Sequence, residues 1–114
     1  MWGADLRTLI RATVTELRDA STDRLQRALV AEVQADLDVS RDLVERLLRP
    51  QMEATALRVE AAVVVGQASE SVDSELVVEL IFGPIFHRWL LRTGELNDAY
   101  ADRLTAAVLR TIRP

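Results

Sequence analysis

Cysteine and lysine are both absent from the 114-residue sequence, and histidine occurs once, at His87. Without cysteine the chain offers no disulfide scaffold, no thiolate nucleophile and no cysteine-ligated zinc site. A lone histidine makes no convincing metal site without well-placed carboxylates, so His87 is interpreted as an interface or surface residue. We therefore expect no metal and no cofactor.

Glycine and proline are scarce, with four and three residues, and no segment alternates polar and apolar residues as a strand does. Apolar residues instead recur at helical spacing throughout the chain. The length fits one domain that can bury its own core. The sequence therefore predicts an all-α protein, an antiparallel bundle of five to six helices in a single domain over residues 1–114.

Basic residues are outnumbered, with 14 arginines against 18 acidic residues and a formal charge of −4. The arginines are interleaved with acids, which argues against direct nucleic-acid contact by this chain. The longest unbroken apolar run is 61–65, far short of the roughly 20 residues that span a bilayer. The first residues also lack a signal-peptide pattern. We expect a soluble, cytoplasmic protein without membrane contact.

Five helices are predicted, at 5–18, 22–36, 41–65, 74–92 and 98–113. Ser40 and Asn97 are the predicted N-caps of the third and fifth helices, and Asp36, Asp38 and Asp42 are interpreted as turn and cap residues near Ser40. Pro50 predicts a kink or break within the third helix, because proline lacks an amide donor. Gly66 and Gly94 are the predicted stops of the third and fourth helices.

The fourth predicted helix is apolar on two sides. The aromatic stripe comprises Val78, Phe82, Ile85, Phe86 and Trp89. The aliphatic stripe comprises Val77, Leu80, Pro84 and Leu91. A surface helix normally has one apolar stripe, so both sides need cover. Either the helix lies at the centre of the bundle, or one stripe faces an identical subunit across a two-fold axis.

We favour the second arrangement, with the aliphatic stripe towards the partner. The fifth helix is also amphipathic, so the last two helices of each subunit would form an intermolecular four-helix bundle. The Gly83-Pro84 pair predicts a kink, and the missing side chain of Gly83 would allow close approach of a second helix. The predicted dimer interface comprises Val77, Leu80, Pro84, Arg88, Leu91, Leu104 and Val108.

The segment LIFGPIFHRWLLRTGEL, residues 80–96, resembles a signature of the C-terminal domains of TetR-type transcriptional regulators. Upstream, Arg49-Pro50 and the helix end at 64–67 also occur in the order that this signature leads us to expect. The resemblance therefore covers essentially the whole chain. It implies a homodimer whose domain holds a pocket for a small-molecule effector.

The resemblance also implies a two-part protein in which a separate N-terminal helix-turn-helix binds DNA. No segment here has that pattern, so we expect the chain to be part of a longer regulator. The sequence departs from the signature at Phe86-His87 and in the 67–72 loop, and the identity of the effector therefore does not transfer.

An apolar or amphipathic effector would need a mainly apolar pocket between helices. Candidate lining residues are Glu32, Leu48, Met52, Phe82, Phe86 and Trp89. The second helix is predicted to bury an apolar stripe of Leu25, Ala28, Leu29 and Val33, and Glu32 lies within it. For Glu32 the alternatives are a salt bridge to Arg46, Arg58 or Arg88, or exposure at the edge of this stripe. For the three aromatic residues the alternative is ordinary core packing.

No motif assembles the polar groups of a catalytic site, so we expect no enzymatic activity. The sequence predicts the dimerisation and effector-binding domain of a TetR-type regulator. A helical homodimerisation module without a ligand is the alternative.

Overall fold

A computed structural model describes residues 2–114. The described chain folds into helices joined by turns and loops, without strands, which confirms the predicted all-α class. The elements are α1 (Trp2–Arg18), α2 (Ala20–Ala35), α3 (Leu37–Leu43), a π-helical turn (Val44–Leu48), α4 (Arg49–Val64), α5 (Ser74–Leu91) and α6 (Asp98–Thr111).

Helix α1 supplies one continuous row of buried side chains. The row follows helical spacing and consists of Trp2, Leu6, Ile10, Val14 and Leu17. These side chains join the core formed with α4, α5 and α6. Helix α1 begins earlier than predicted because Trp2 belongs to this core, and the Trp2 backbone N–H donates to the Gln67 side-chain oxygen at 3.1 Å.

Helix α2 lies at the edge of the fold and has no fully buried residue. Leu25, the first residue of its predicted apolar stripe, is 69% exposed. Only Val30 of this helix packs against the core as a partly buried hydrophobic residue. The prediction that α2 buries a stripe containing Leu25 was wrong, because the helix turns a half-buried mixed face inward.

The third predicted helix starts earlier than expected and runs through Pro50. The Asp36 carboxylate caps it by accepting from the Asp38 and Val39 amides at 2.9 and 3.3 Å, so Asp36 takes the place predicted for Ser40. In the π-helical turn the Arg49 N–H donates to the Val44 carbonyl, five residues back. Pro50 has no N–H to donate, and the wider turn before it lets the helix continue into α4 without that hydrogen bond.

The ends of α4, α5 and α6 follow ordinary capping chemistry, with one exception. Gly66 adopts a left-handed φ of 76° as predicted, and Asn97 caps α6 by accepting from the Tyr100 amide at 2.8 Å. Helix α5 ends at Arg92 with a left-handed φ of 55°, so Gly94 is not its stop. A Cβ at Gly94 would lie 2.9 Å from the Arg88 guanidinium, so a larger residue there would displace the end of that side chain.

Two arginines of α1 hold α6 through a single carboxylate. Asp102 accepts from Arg11 at 2.9 and 2.7 Å and from Arg7 at 3.0 and 3.2 Å. These hydrogen bonds, from Arg11 first and Arg7 second, hold the pKa of Asp102 well below its usual range.

We predict that Asp102→Asn lowers stability at neutral pH and that the difference shrinks progressively as the pH falls below the unfolded-state pKa of the carboxyl group. A depressed carboxyl pKa adds stability above the unfolded-state pKa, near 3.8, and this contribution is lost as the pH falls through the lower native value. Urea unfolding of both proteins between pH 7 and pH 2 measures this. If the stability difference between the two proteins stayed constant over the whole pH range, stabilisation by the charged Asp102 carboxylate would be contradicted.

Candidate functional site

The inward side of α5 draws on both predicted stripes. Its buried residues are Val77, Val78, Ile81, Ile85 and Trp89. Val77 and, on α6, Val108 lie in the chain's own core, which corrects their assignment to a dimer interface. The direction that faces the core falls between the two predicted stripes, so each stripe contributes some side chains inward and leaves others outside.

The opposite side of α5 leaves large apolar side chains uncovered. Leu80 is 38% and Leu91 is 58% exposed, Leu76 is also exposed, and Pro84 is half-buried. Leu104 of α6 is half-buried and packs against the core. We call Leu76, Leu80, Pro84 and Leu91, together with Leu104, the outer face.

A groove of about 440 Å³ lies where α5 and α6 meet. It is lined by Arg88, Tyr100, Arg103, Leu104, Ala106, Ala107 and Arg110. The Arg88 guanidinium carbon lies 3.9 Å from the centre of the Tyr100 ring, and its Nη1 donates to the Glu95 carbonyl at 3.0 Å. Arg88, predicted for the interface, therefore fastens the α5–α6 loop within its own chain.

The aromatic residues of α5 have different environments. Trp89 is 4% exposed, Phe82 is half-buried, and Phe86 is 38% exposed with its ring perpendicular to that of Trp89. The expectation that the aromatic stripe faces the interior is therefore wrong for Phe86.

Trp89 is tied to α2 by a polar contact that the sequence analysis missed. Its Nε1–H donates to Asp23 at 2.8 Å, while Arg27 stacks on its ring at 4.3 Å and donates to its carbonyl at 3.0 Å. Hydrogen bonds from Arg27 and then Trp89 hold the pKa of Asp23 below its ordinary value. The available signal was the Asp23–Arg27 pair at i, i+4 spacing.

The other pocket candidates lie towards solvent. Leu48 and Met52 are exposed beside the π-helical turn, and Glu32 is exposed on α2. We call the three exposed apolar candidates, Leu48, Met52 and Phe86, the apolar surface.

A second concavity, of about 330 Å³, opens between the C-terminal ends of α1 and α5. Four arginines line it: Arg18, Arg27, Arg88 and Arg92. Leu17, Trp89 and Leu96 contribute buried apolar side chains, and Glu95 and Gly94 complete the lining. We call it the arginine cleft. Among the six predicted pocket residues, Trp89 is the one that lines it.

Within residues 2–114, no three acidic or histidine side chains are grouped closely enough to hold a metal ion. The same residues contain no helix that is both long and apolar enough to cross a membrane.

Comparison with known proteins gives consistent similarities. Residues 2–108 match the family described as "Tetracyclin repressor-like, C-terminal domain". The chain is 27% identical over 85 residues to the uncharacterized HTH-type transcriptional regulator YdeS of Bacillus subtilis (strain 168), covering 75% of this chain. The crystal structure of the TetR family transcription regulator SCO0332 superposes with a TM-score of 0.89 at 24% identity over 98% of this chain.

Both similar proteins are longer than this chain. It spans 43% of the length of YdeS and 62% of the SCO0332 chain. The shared fold is thus that of one part of a larger regulator.

Proposed function

The chain belongs to the family of tetracyclin repressor-like C-terminal domains, and we propose that it is the dimerisation and effector-binding domain of a TetR-family transcriptional regulator. This is a regulatory class of domain, not an enzymatic one. In this proposal DNA contact is made by a separate helix-turn-helix domain, and the chain itself supplies the two-fold interface and the effector site.

The exposed apolar outer face is the observation that carries the dimer proposal. Leu80 and Leu91 stand in solvent on a helix whose other side already fills the core. Contiguous exposed apolar surface of this kind marks interaction sites in soluble proteins. Around a two-fold axis the outer face would meet its own copy, giving a four-helix bundle from two α5–α6 pairs.

Gly83 provides an independent argument for a second helix at this face. A glycine inside a helix costs about 1 kcal/mol relative to alanine. Within the described chain, no atom outside the local helix backbone lies within 4 Å of the place a Cβ would occupy, so packing inside the subunit does not explain it. Close approach of a partner helix would explain it, since small residues let helix backbones come together.

The effector site is proposed on the apolar surface. Leu48, Met52 and Phe86 offer exposed apolar side chains, and Phe82 is half-buried on the same helix as Phe86. Pockets for small molecules are mainly apolar and often lie between helices of a bundle. Its openness in the single chain favours the alternative, a dimerisation module without a ligand. A thermal-shift screen with apolar and amphipathic compounds separates the two proposals.

The absence of cysteine makes the interface directly testable by disulfide trapping. We predict that Leu80→Cys forms a covalent dimer under mild oxidation, because a residue near the two-fold axis lies close to its own copy. Leu25→Cys is the matched control, as Leu25 is also an exposed leucine but lies on α2. Non-reducing electrophoresis reads out both variants. Equal trapping of the two would contradict the proposed interface.

A further inference from the structure

We propose that the arginine cleft is a binding site for a small amphipathic carboxylate. The cleft shares no lining residue with the outer face or the apolar surface, so the proposal stands whether or not the dimer and effector proposals hold. Its argument rests on charge, on an apolar floor and on one strained backbone position.

The charge balance at the cleft is the reverse of that of the whole chain. Four guanidinium groups face it, against Glu95 in the lining and Asp23, which pairs with Arg27. Arg18 and Arg92 form no ion pair with any carboxylate in residues 2–114. The cleft therefore carries an excess of two positive charges in a protein whose net charge is −4.

Guanidinium groups are suited to carboxylates because their planar fork donates two parallel hydrogen bonds. Two of the four are already fixed in place. Arg27 is held by Asp23 and by the Trp89 carbonyl, and Arg88 by the Glu95 carbonyl and the Tyr100 ring. Arg18 and Arg92 have no direct ion pair, although the charge of Arg92 acts on Asp23, and they are thus the groups most available to an anion.

Three apolar side chains also line the cleft, so it offers a small apolar contact in addition to the charge of the arginines. Leu17, Trp89 and Leu96 are all buried residues that line the cleft. A ligand that is anionic at one end and apolar at the other satisfies both parts of the lining. The volume of about 330 Å³ lies at the lower end of the range for small-molecule sites.

The backbone at Arg92 gives a second, independent observation. Its φ of 55° is the only left-handed value at a non-glycine residue among residues 2–114. Helix ends with this conformation usually have glycine, which adopts it without strain. The arginine departs here from the local preference for glycine, and strained positions of this kind cluster at ligand sites.

The cleft and the outer face can be occupied together. Trp89 lies on the core side of α5 and is bound by Arg27 of α2, whereas Leu80 and Leu91 lie on the exposed side. A ligand in the cleft therefore need not displace a partner subunit.

Fluorescence of Trp89 provides the readout. Trp2→Phe removes the other tryptophan, whose buried Nε1 forms no hydrogen bond within the described chain, and leaves Trp89 as the single reporter. We expect hexanoate to change this fluorescence saturably and uncharged hexanamide to bind far more weakly. Inorganic phosphate, which has no apolar part, should also bind more weakly than hexanoate. A hexanamide or phosphate affinity equal to that of hexanoate, or no saturable response to hexanoate, overturns the proposal.

Three variants in this background make the test specific. Arg92→Gly should weaken hexanoate binding by at least about tenfold, the loss typical of a charge-assisted hydrogen bond, and should raise the urea midpoint by relieving the left-handed strain. Glu95→Gln should tighten binding. Arg113→Gly removes the same charge from a residue that follows the C-terminal end of α6, and it should leave hexanoate binding unchanged. Arg18→Gln tests the charge without altering the strained backbone, and unchanged binding by both Arg92→Gly and Arg18→Gln would rule the site out.

Discussion

Glutamate in place of Leu80 should convert the dimer into monomers. Leu80 is 38% exposed in the single chain, so a carboxylate there can remain hydrated while the subunit is alone. In the proposed dimer the two-fold axis would bury two such carboxylates facing an apolar surface, and unpaired buried charge is strongly unfavourable. We expect the dimer dissociation constant to rise by at least about a hundredfold.

Leu25→Glu is the control for this experiment. It introduces the same charge at an exposed leucine of α2, a helix that contributes nothing to the outer face. Sedimentation equilibrium across a concentration series should give a monomer for Leu80→Glu and a dimer for Leu25→Glu, with the helical circular dichroism of both unchanged. If Leu80→Glu stays dimeric, subunits associate through another surface.

Replacing Trp89 with alanine should have the largest effect on stability. Trp89 is 4% exposed, packs in the core, and donates from Nε1 to Asp23. Truncating a buried tryptophan costs about 3–5 kcal/mol from lost burial and the cavity left behind. The change would also leave Arg27 without the ring on which it stacks and loosen α2 from α5.

Phe86→Ala is the matched aromatic control, three residues earlier on the same helix. Phe86 is 38% exposed, so its truncation should cost well below the loss at Trp89. Urea unfolding of wild type and both variants at equal protein concentration measures the two differences, because dissociation contributes to the stability of a dimer. Equal losses would show that the aromatic residues share one environment, contrary to the structure.

Local chemistry allowed most helices and several of their ends to be predicted. Gly66 and Asn97 have the predicted roles because left-handed backbone and side-chain capping depend on neighbouring residues alone. The competing caps Asp36 and Ser40 could not be ranked this way. Either residue can cap a helix, so residue type alone did not decide between them.

The faces of the helices were harder to predict, because a wheel shows periodicity but not direction. Helix α5 carries more apolar side chains than the core of the chain can cover. The sequence therefore could not show that Val77 is buried while Phe86 stays partly exposed. The prediction of the buried face of α2 was wrong for a related reason. Leu25 fits a helical stripe, yet α2 lies at the edge and has too little neighbouring surface to bury it.

The arginine cleft left no readable pattern in the sequence. Arg18, Arg27 and Arg92 lie on three different helices or their ends, and only packing brings them together. The strain at Arg92 was equally hidden, since Gly94, two residues later, appeared to be the natural stop.

The molecular mass of the unmodified chain in solution tests the central claim most directly. Size-exclusion chromatography with light scattering at micromolar concentrations should give twice the 12.8 kDa chain mass, as a symmetric dimer joined through the outer face requires. A mass equal to that of a single chain at every concentration would contradict the proposed dimerisation domain.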